Sequence, residues 1–179
     1  IITAWCAITA SGDRDSVATN AILVIVAGGG IGAANGLDVD IASLDLGNAT
    51  SGNVVLTNAG AIDLIDVDNS GTGDTSITPT EGAIVVTLAG DGITTATGDL
   101  ELYAGQGRVD LDSAITTTGG GVAITAELGD IRIGDGIRVA GDGDIELRAP
   151  EGSVINDTTR VTWPRDGSGA FESELDWVL

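Results

Sequence analysis

The chain has no lysine, no histidine and no methionine, and its single cysteine is Cys6. With no second cysteine an internal disulfide is impossible, so Cys6 is expected to be buried, a free thiol or a bond to another chain being the alternatives. The missing histidine removes the commonest general base and metal ligand. No GxSxG, phosphate-loop or Cys-His arrangement replaces it. What chemistry remains is that of carboxylates and arginine, and the chain is expected not to be an enzyme. No run of about 18 apolar residues occurs, so no membrane-spanning helix is indicated. The longest apolar stretch, Ala21 to Ala27, has the length of a strand. Prolines number only 3, so the turns fall to glycine, of which there are 28.

Positive charge is scarce. Against 27 acidic residues stand 7 basic ones, all arginine, for a formal charge of -20. Binding a polyanion needs a basic patch that releases counterions. Nucleic acid and anionic membrane are therefore unsuitable partners, and membrane insertion is not expected. The surface suits a highly soluble protein bathed in salt or divalent cations. Apolar residues still make up 42% of the chain, too many for disorder, which requires low hydrophobicity. A core can form.

That core is written as a repeat. Leu100, Val122 and Ile145 recur at steps of 22 and 23. A second column, Ile62, Ile84, Val109, Ile131 and Val154, steps by 22, 25, 22 and 23; a third, Ile93, Ile115 and Ile137, steps by 22 and 22. Three columns predict three short strands per repeat, in the range of periods that marks a solenoid. Hairpins would repeat pairwise over shorter distances, so the pattern predicts a coil in which each strand pairs with its equivalent one turn later. Within the strands the alternation puts Leu100 and Leu102 on one face and Asp99, Glu101 and Tyr103 on the other. Glycine precedes the strands, where sharp turns favour left-handed backbone.

The prediction is an all-β parallel β-helix over residues 1–160, clearest in register from 53 to 156, with an irregular aromatic segment at 161–179. Two features test it. Asp110 and Arg132 lie 22 apart and should stack as a surface ion pair worth at most about 1 kcal/mol. Asn156 falls in the column of Leu111 and Ile133 and should sit inside, bonded to a turn, unless the coil ends there.

The phrasing of Gly98 to Asn156, with GDLELYAGQGRVDL, ITTTGGGVAITAELGDIRIGDGI and GDGDIELRAPEGSVIND, resembles the repeats of large bacterial surface proteins of the filamentous-haemagglutinin-like, adhesin type. Gly28 to Asp45 is similar in style, so the likeness covers about two thirds of the chain. The resemblance implies a right-handed helix, export to the cell surface and a structural or adhesive role; it carries over no catalytic residues.

The chain departs from that pattern at its ends. Trp5, Trp163, Phe171 and Trp177 are terminal, and Tyr103 is the one aromatic between. Open strand edges are templates for pairing, so these four residues are candidate interface residues. They would cap the coil or join copies of the chain end to end into a filament. Surface glycans are the other partner class considered.

Paired aspartates raise calcium. A cation of that class takes six to eight oxygens, and Asp66 with Asp68, and Asp142 with Asp144, sit in Asp-, Asn- and Gly-rich stretches that could supply some. The calcium-binding nonapeptide repeat is absent. Solvated surface acid is the simpler reading, and no cofactor is expected. A carboxylate and arginine pair such as Asp110 with Arg132 also admits a polysaccharide-acting β-helix enzyme, the weakest of the functional readings. Thr94, Thr95, Thr97 and Thr116 to Thr118 suggest a flat threonine face of the ice-binding kind, broken at Arg138.

Overall fold

In a computed structural model the described residues are 1–4, 6, 8, 17–32 and 36–157. Among them there is no helix, and the sixteen strands join one sheet in which every pairing is parallel. The strands are β1 (Ile2–Thr3), β2 (Val17–Ala27), β3 (Leu37–Asn48), β4 (Val54–Asn58), β5 (Ile62–Asn69), β6 (Thr75–Pro79), β7 (Ile84–Val86) and β8 (Gly92–Thr95). They continue as β9 (Leu100–Ala104), β10 (Val109–Leu111), β11 (Ile115–Thr117), β12 (Val122–Ala126), β13 (Ile131–Ile133), β14 (Ile137–Val139), β15 (Ile145–Arg148) and β16 (Val154–Asn156).

Parallel strands cannot be joined by tight hairpins. Here the sheet is wound into a β-solenoid whose coils have three faces. On face A, Val54, Thr75, Leu100, Val122 and Ile145 stack in order. On face B the column is Ile62, Ile84, Val109, Ile131 and Val154. On face C it is Ile2, Ile25, Leu46, Val67, Ile93, Ile115 and Ile137. The predicted columns are present residue for residue, and face C carries the register back to Ile2, well before residue 53. Its six steps of about 4.8 Å give a stack roughly 29 Å high.

The core is the inside of that coil. Leu100, Leu102, Val109, Leu111, Ile115 and Ile124 are almost wholly buried, and each touches its equivalents above and below. Burial of their apolar surface contributes roughly 25 cal/mol per Å². Because like stacks on like from rung to rung, each added coil repeats a gain of the same kind.

Departures from the 22-residue beat lie at the corners. Between Val86 and Ile93 the chain needs Thr87 to Gly92, whereas one coil later Asp112 to Ala114 suffice between Leu111 and Ile115. These three extra residues are the step of 25, and they push Leu88 out to 77% exposure. The reverse happens in β2 and β3. At 11 and 12 residues they exceed the short strands predicted, because almost no corner residues separate their faces and the bend is taken up by register shifts at Thr19/Ile22 and Leu44/Asp45.

The glycines that open the strands owe their place to crowding rather than to backbone handedness. Gly73, Gly98, Gly120 and Gly143 stack at the corner before face A, and none has positive φ. A Cβ on Gly98 would lie 2.0 Å from the carbonyl oxygen of Gly73, and one on Gly120 1.9 Å from that of Gly98. Gly107, Gly129 and Gly152 repeat the arrangement before face B, while Gly82, at the foot of that column, has a φ of 88°. Left-handed glycines are fewer, as at Gly30 and Gly32, where φ is 100° and 64° in the turn after β2.

Two expectations fail at the edges of the stack. Cys6 is exposed, not buried, because it lies outside any strand between β1 and the single bridge of Ile8 to Ile31. Asn156 pairs with Ile133 as the register requires, but it is exposed. It ends β16, and no further strand follows it among the described residues, which is the coil-end alternative.

Candidate functional site

Two sets of polar residues recur with the coil, one inside and one outside. The inner set was not anticipated. Asn48, Asn69, Thr95 and Thr117 stack at the end of face C, between Ala27 below and Val139 above. All four are at most 1% exposed, so each must find hydrogen bonds inside. Asn48 Nδ2 donates to Ser51 O at 3.2 Å and Gly52 O at 3.0 Å; Asn69 Nδ2 donates to Gly73 O at 2.9 Å. Thr95 and Thr117 make the same kind of bond to Gly98 O at 3.4 Å and Gly120 O at 2.6 Å. The column thus ties the corner carbonyls of Gly52, Gly73, Gly98 and Gly120 to the strands that precede them. Asn58 does comparable work between faces A and B, accepting from Ile41 N–H and donating to the carbonyls of Ile41, Gly60 and Ala61. The steps of 21, 26 and 22 from Asn48 to Thr117 are legible in the sequence as polar residues at an apolar position.

The outer set is acidic. At the corner before face A, Asn53 Oδ1 accepts from Asp74 N–H, Asp74 Oδ1 from Asp99 N–H and Asp99 Oδ1 from Gly121 N–H, at 3.0, 3.0 and 2.8 Å. Asp130 does the same for Ser153 N–H at 2.9 Å before face B. Each carboxylate satisfies a backbone donor one coil further on. Beside the first ladder lies an open groove of about 610 Å³, with Asp74, Asp99, Glu101, Asp142, Asp144 and Glu146 on its walls and no basic residue. Ser76 donates to Glu101 across adjacent rungs at 3.1 Å.

The four predicted cation ligands are separated by this architecture. Asp142 and Asp144 stand in the groove at the corner before β15, while Asp66 and Asp68 lie on β5. Asp66 is the partner of Asp45 on the neighbouring strand. Partial burial raises its pKa above the usual carboxylate value, and the charges of Asp45, Asp91 and Asp68 raise it further. Among the described residues no group of three or more His, Cys, Asp or Glu side chains converges to hold a metal ion.

Asp110 and Arg132 are strand partners, as the register demands, but they do not bond to each other. Arg108, two residues away on its own chain segment, takes Asp110, and Arg132 Nη2 reaches Asp157 at 2.6 Å. Arg108 reaches Asp110 because a side chain two positions along the chain points to the same outer side, whereas the partner of Arg132 lies 25 residues on, just past β16 of the next coil. The threonine face is short: Thr94 stacks on Thr116, but Arg138 follows, and Thr95 and Thr117 point inward. Trp5, Trp163, Phe171 and Trp177 lie outside the described residues.

Comparison with protein-family models, with curated proteins and with solved structures finds no match.

Proposed function

We propose that this chain is a structural, exported protein segment: a stiff, acidic β-solenoid rod that forms part of a surface adhesin stalk or fibre. The observation that carries the reading is the uninterrupted column of face C, seven strands from Ile2 to Ile137 in one register. Bending such a stack would open inter-coil hydrogen bonds and core contacts together. The carboxylates support the same reading, since Asp74, Asp99 and Asp130 each hold a backbone N–H of the next coil. Antibody labelling of intact producing cells tests export: surface label supports the rod, and label seen only after lysis removes it.

A second reading, a subunit that stacks end to end into a filament, is favoured by the strand edges. Among the described residues β14, β15 and β16 each pair on one side only. Negative-stain images of the native material separate the two. Long fibres of even width support the filament, and isolated short rods support the stalk.

A further inference from the structure

Among the described residues, three aspartates are followed by glycine: Asp91, Asp135 and Asp142. At such a step a side-chain carboxyl can reach the next main-chain nitrogen, because glycine has no side chain to hinder the approach. The fold treats the three differently. Gly92 is the strand partner of Asp66, and a Cβ on it would lie 2.2 Å from the carbonyl oxygen of Ala114 in the next coil. One on Gly143 would lie 2.3 Å from the carbonyl oxygen of Gly120 in the coil before. Neither backbone can turn without parting two coils. Gly136 stands in the same column as Gly92, two coils on, yet a Cβ there meets nothing within 4 Å.

At Asp135 the two groups already touch: Gly136 N–H donates to Asp135 Oδ1 at 2.6 Å. The rest of the corner is pinned. Gly134 and Asp135 both donate their N–H groups to Leu111 O, at 2.8 and 2.9 Å, and Gly136 O accepts from Ile115 N–H at 3.1 Å. The carboxyl is thus held over the one corner nitrogen that is turned toward it. Asp135 is also exposed, so water reaches the site.

We propose that Asp135–Gly136 is a site of spontaneous covalent rearrangement, in which the Asp135 carboxyl closes on the Gly136 nitrogen to a succinimide that opens to isoaspartate. The Gly136 nitrogen forms a bond to Cγ of the protonated carboxyl, the Cγ–OH bond breaks, and the amide proton leaves with that hydroxyl as water. Water then adds back. Attack at Cγ restores aspartate; attack at the main-chain carbonyl of Asp135 breaks its bond to nitrogen and leaves the chain running through the side chain. Nothing is oxidised or reduced, and water is the co-reactant. Holding the two groups in contact supplies the advantage of an oriented intramolecular reaction. Isoaspartate adds one carbon to the main chain between β13 and β14, and β14 is paired on one side only among the described residues, so it is the strand displaced first.

The test is prolonged ageing of the full chain, folded in buffer and unfolded in urea, followed by isoaspartyl methyltransferase with a labelled methyl donor and peptide mapping by fragmentation. In the folded chain about tenfold more label is expected at 135 than at 91 or 142, and in urea comparable label at all three. Gly136→Ala enters open space, so it should keep the thermal midpoint and lose most of the label at 135. Asp135→Asn, whose amide departs as ammonia, should raise the label several-fold in the folded chain. Absence of label at 135, or a rate there slowed by folding as much as at 91 and 142, overturns the assignment. A folded Asp135→Asn chain that stays unconverted overturns it as well, since the better leaving group isolates the geometry.

Discussion

Asn48 and Asn69 stand directly above one another inside the coil, the amide of Asn48 donating to the Asn69 side-chain oxygen at 2.9 Å. Asn69 passes the chain on, donating to Gly73 O and to Thr75 Oγ1, each at 2.9 Å. This is a fully partnered polar network in an otherwise apolar interior, the condition under which buried polar groups are tolerated.

Truncating it should therefore cost more than a typical core change of the same size. Asn69→Ala takes the donor from the Gly73 carbonyl and from Thr75 Oγ1 and removes one of the acceptors of the Asn48 amide, and a loss of about 1–3 kcal/mol per group left unsatisfied is expected. Thr117→Val should cost only about 1 kcal/mol, since Val139 already occupies the same column one coil later. Urea titrations with an unchanged slope would measure both. A silent Asn69→Ala would mean that the interior ladder is not what holds these corners.

The stacked glycines make a sharper prediction. Gly98→Ala puts a methyl group 2.0 Å from the Gly73 carbonyl oxygen and 2.4 Å from its carbon, so two coils must part. We expect a loss at the top of the overpacking range, about 3 kcal/mol, read as a lower thermal midpoint. Gly60→Ala is the matched control. A Cβ there meets nothing within 4 Å, and its effect should stay within about 0.5 kcal/mol.

These two sets of residues mark the boundary of what can be read before folding. The apolar columns were legible, because a parallel coil stacks like on like and each strand is a direct copy of a spacing. The stretch before residue 53 was not, because β2 and β3 dispense with corners and their apolar positions drift out of phase. Asn48 and Asn69 keep the spacing of the coil in a column bounded by Ala27 and Val139, and the stacking shows that they occupy a core position. For the outer acids the sequence shows charge but not partner. Arg132 was matched to Asp110 by register alone, and the actual choice of Asp157 depends on side-chain reach.

Asp66 predicts a pH effect of unusual sign for an acid. Its folded pKa is raised above the ordinary 3.8, first by burial and then by Asp45, Asp91 and Asp68. The folded state therefore holds this proton more tightly than the unfolded one, and this site's contribution to stability falls as pH rises through the range just above 3.8. Asp66→Asn should raise the unfolding midpoint at neutral pH by a few degrees, with the advantage vanishing once the wild-type carboxyl is protonated. An equal gain at both pH values would show that charge at this position is irrelevant.

Between Val17 and Gly107 the chain carries eleven carboxylates and no basic residue, whereas the four described arginines, Arg108, Arg132, Arg138 and Arg148, all lie beyond. Neighbouring acids on adjacent rungs, such as Asp45 and Asp66, repel one another with no local cation to offset them. Repulsion of this kind between exposed groups is screened over a Debye length of about 10 Å at 0.1 M salt and about 30 Å at 0.01 M. The thermal midpoint should therefore climb steeply from 0.01 M to about 1 M sodium chloride, and hydrogen exchange should show the protection gained mainly in β3 to β8. Calcium supplies the finer comparison. If Asp66 and Asp68, or Asp142 and Asp144, hold it as ligands, micromolar calcium should stabilise beyond sodium chloride of equal ionic strength, and Asp66→Asn or Asp144→Asn should remove the excess. Equal responses to calcium, magnesium and matched sodium chloride would leave screening as the whole effect and dispose of a calcium site.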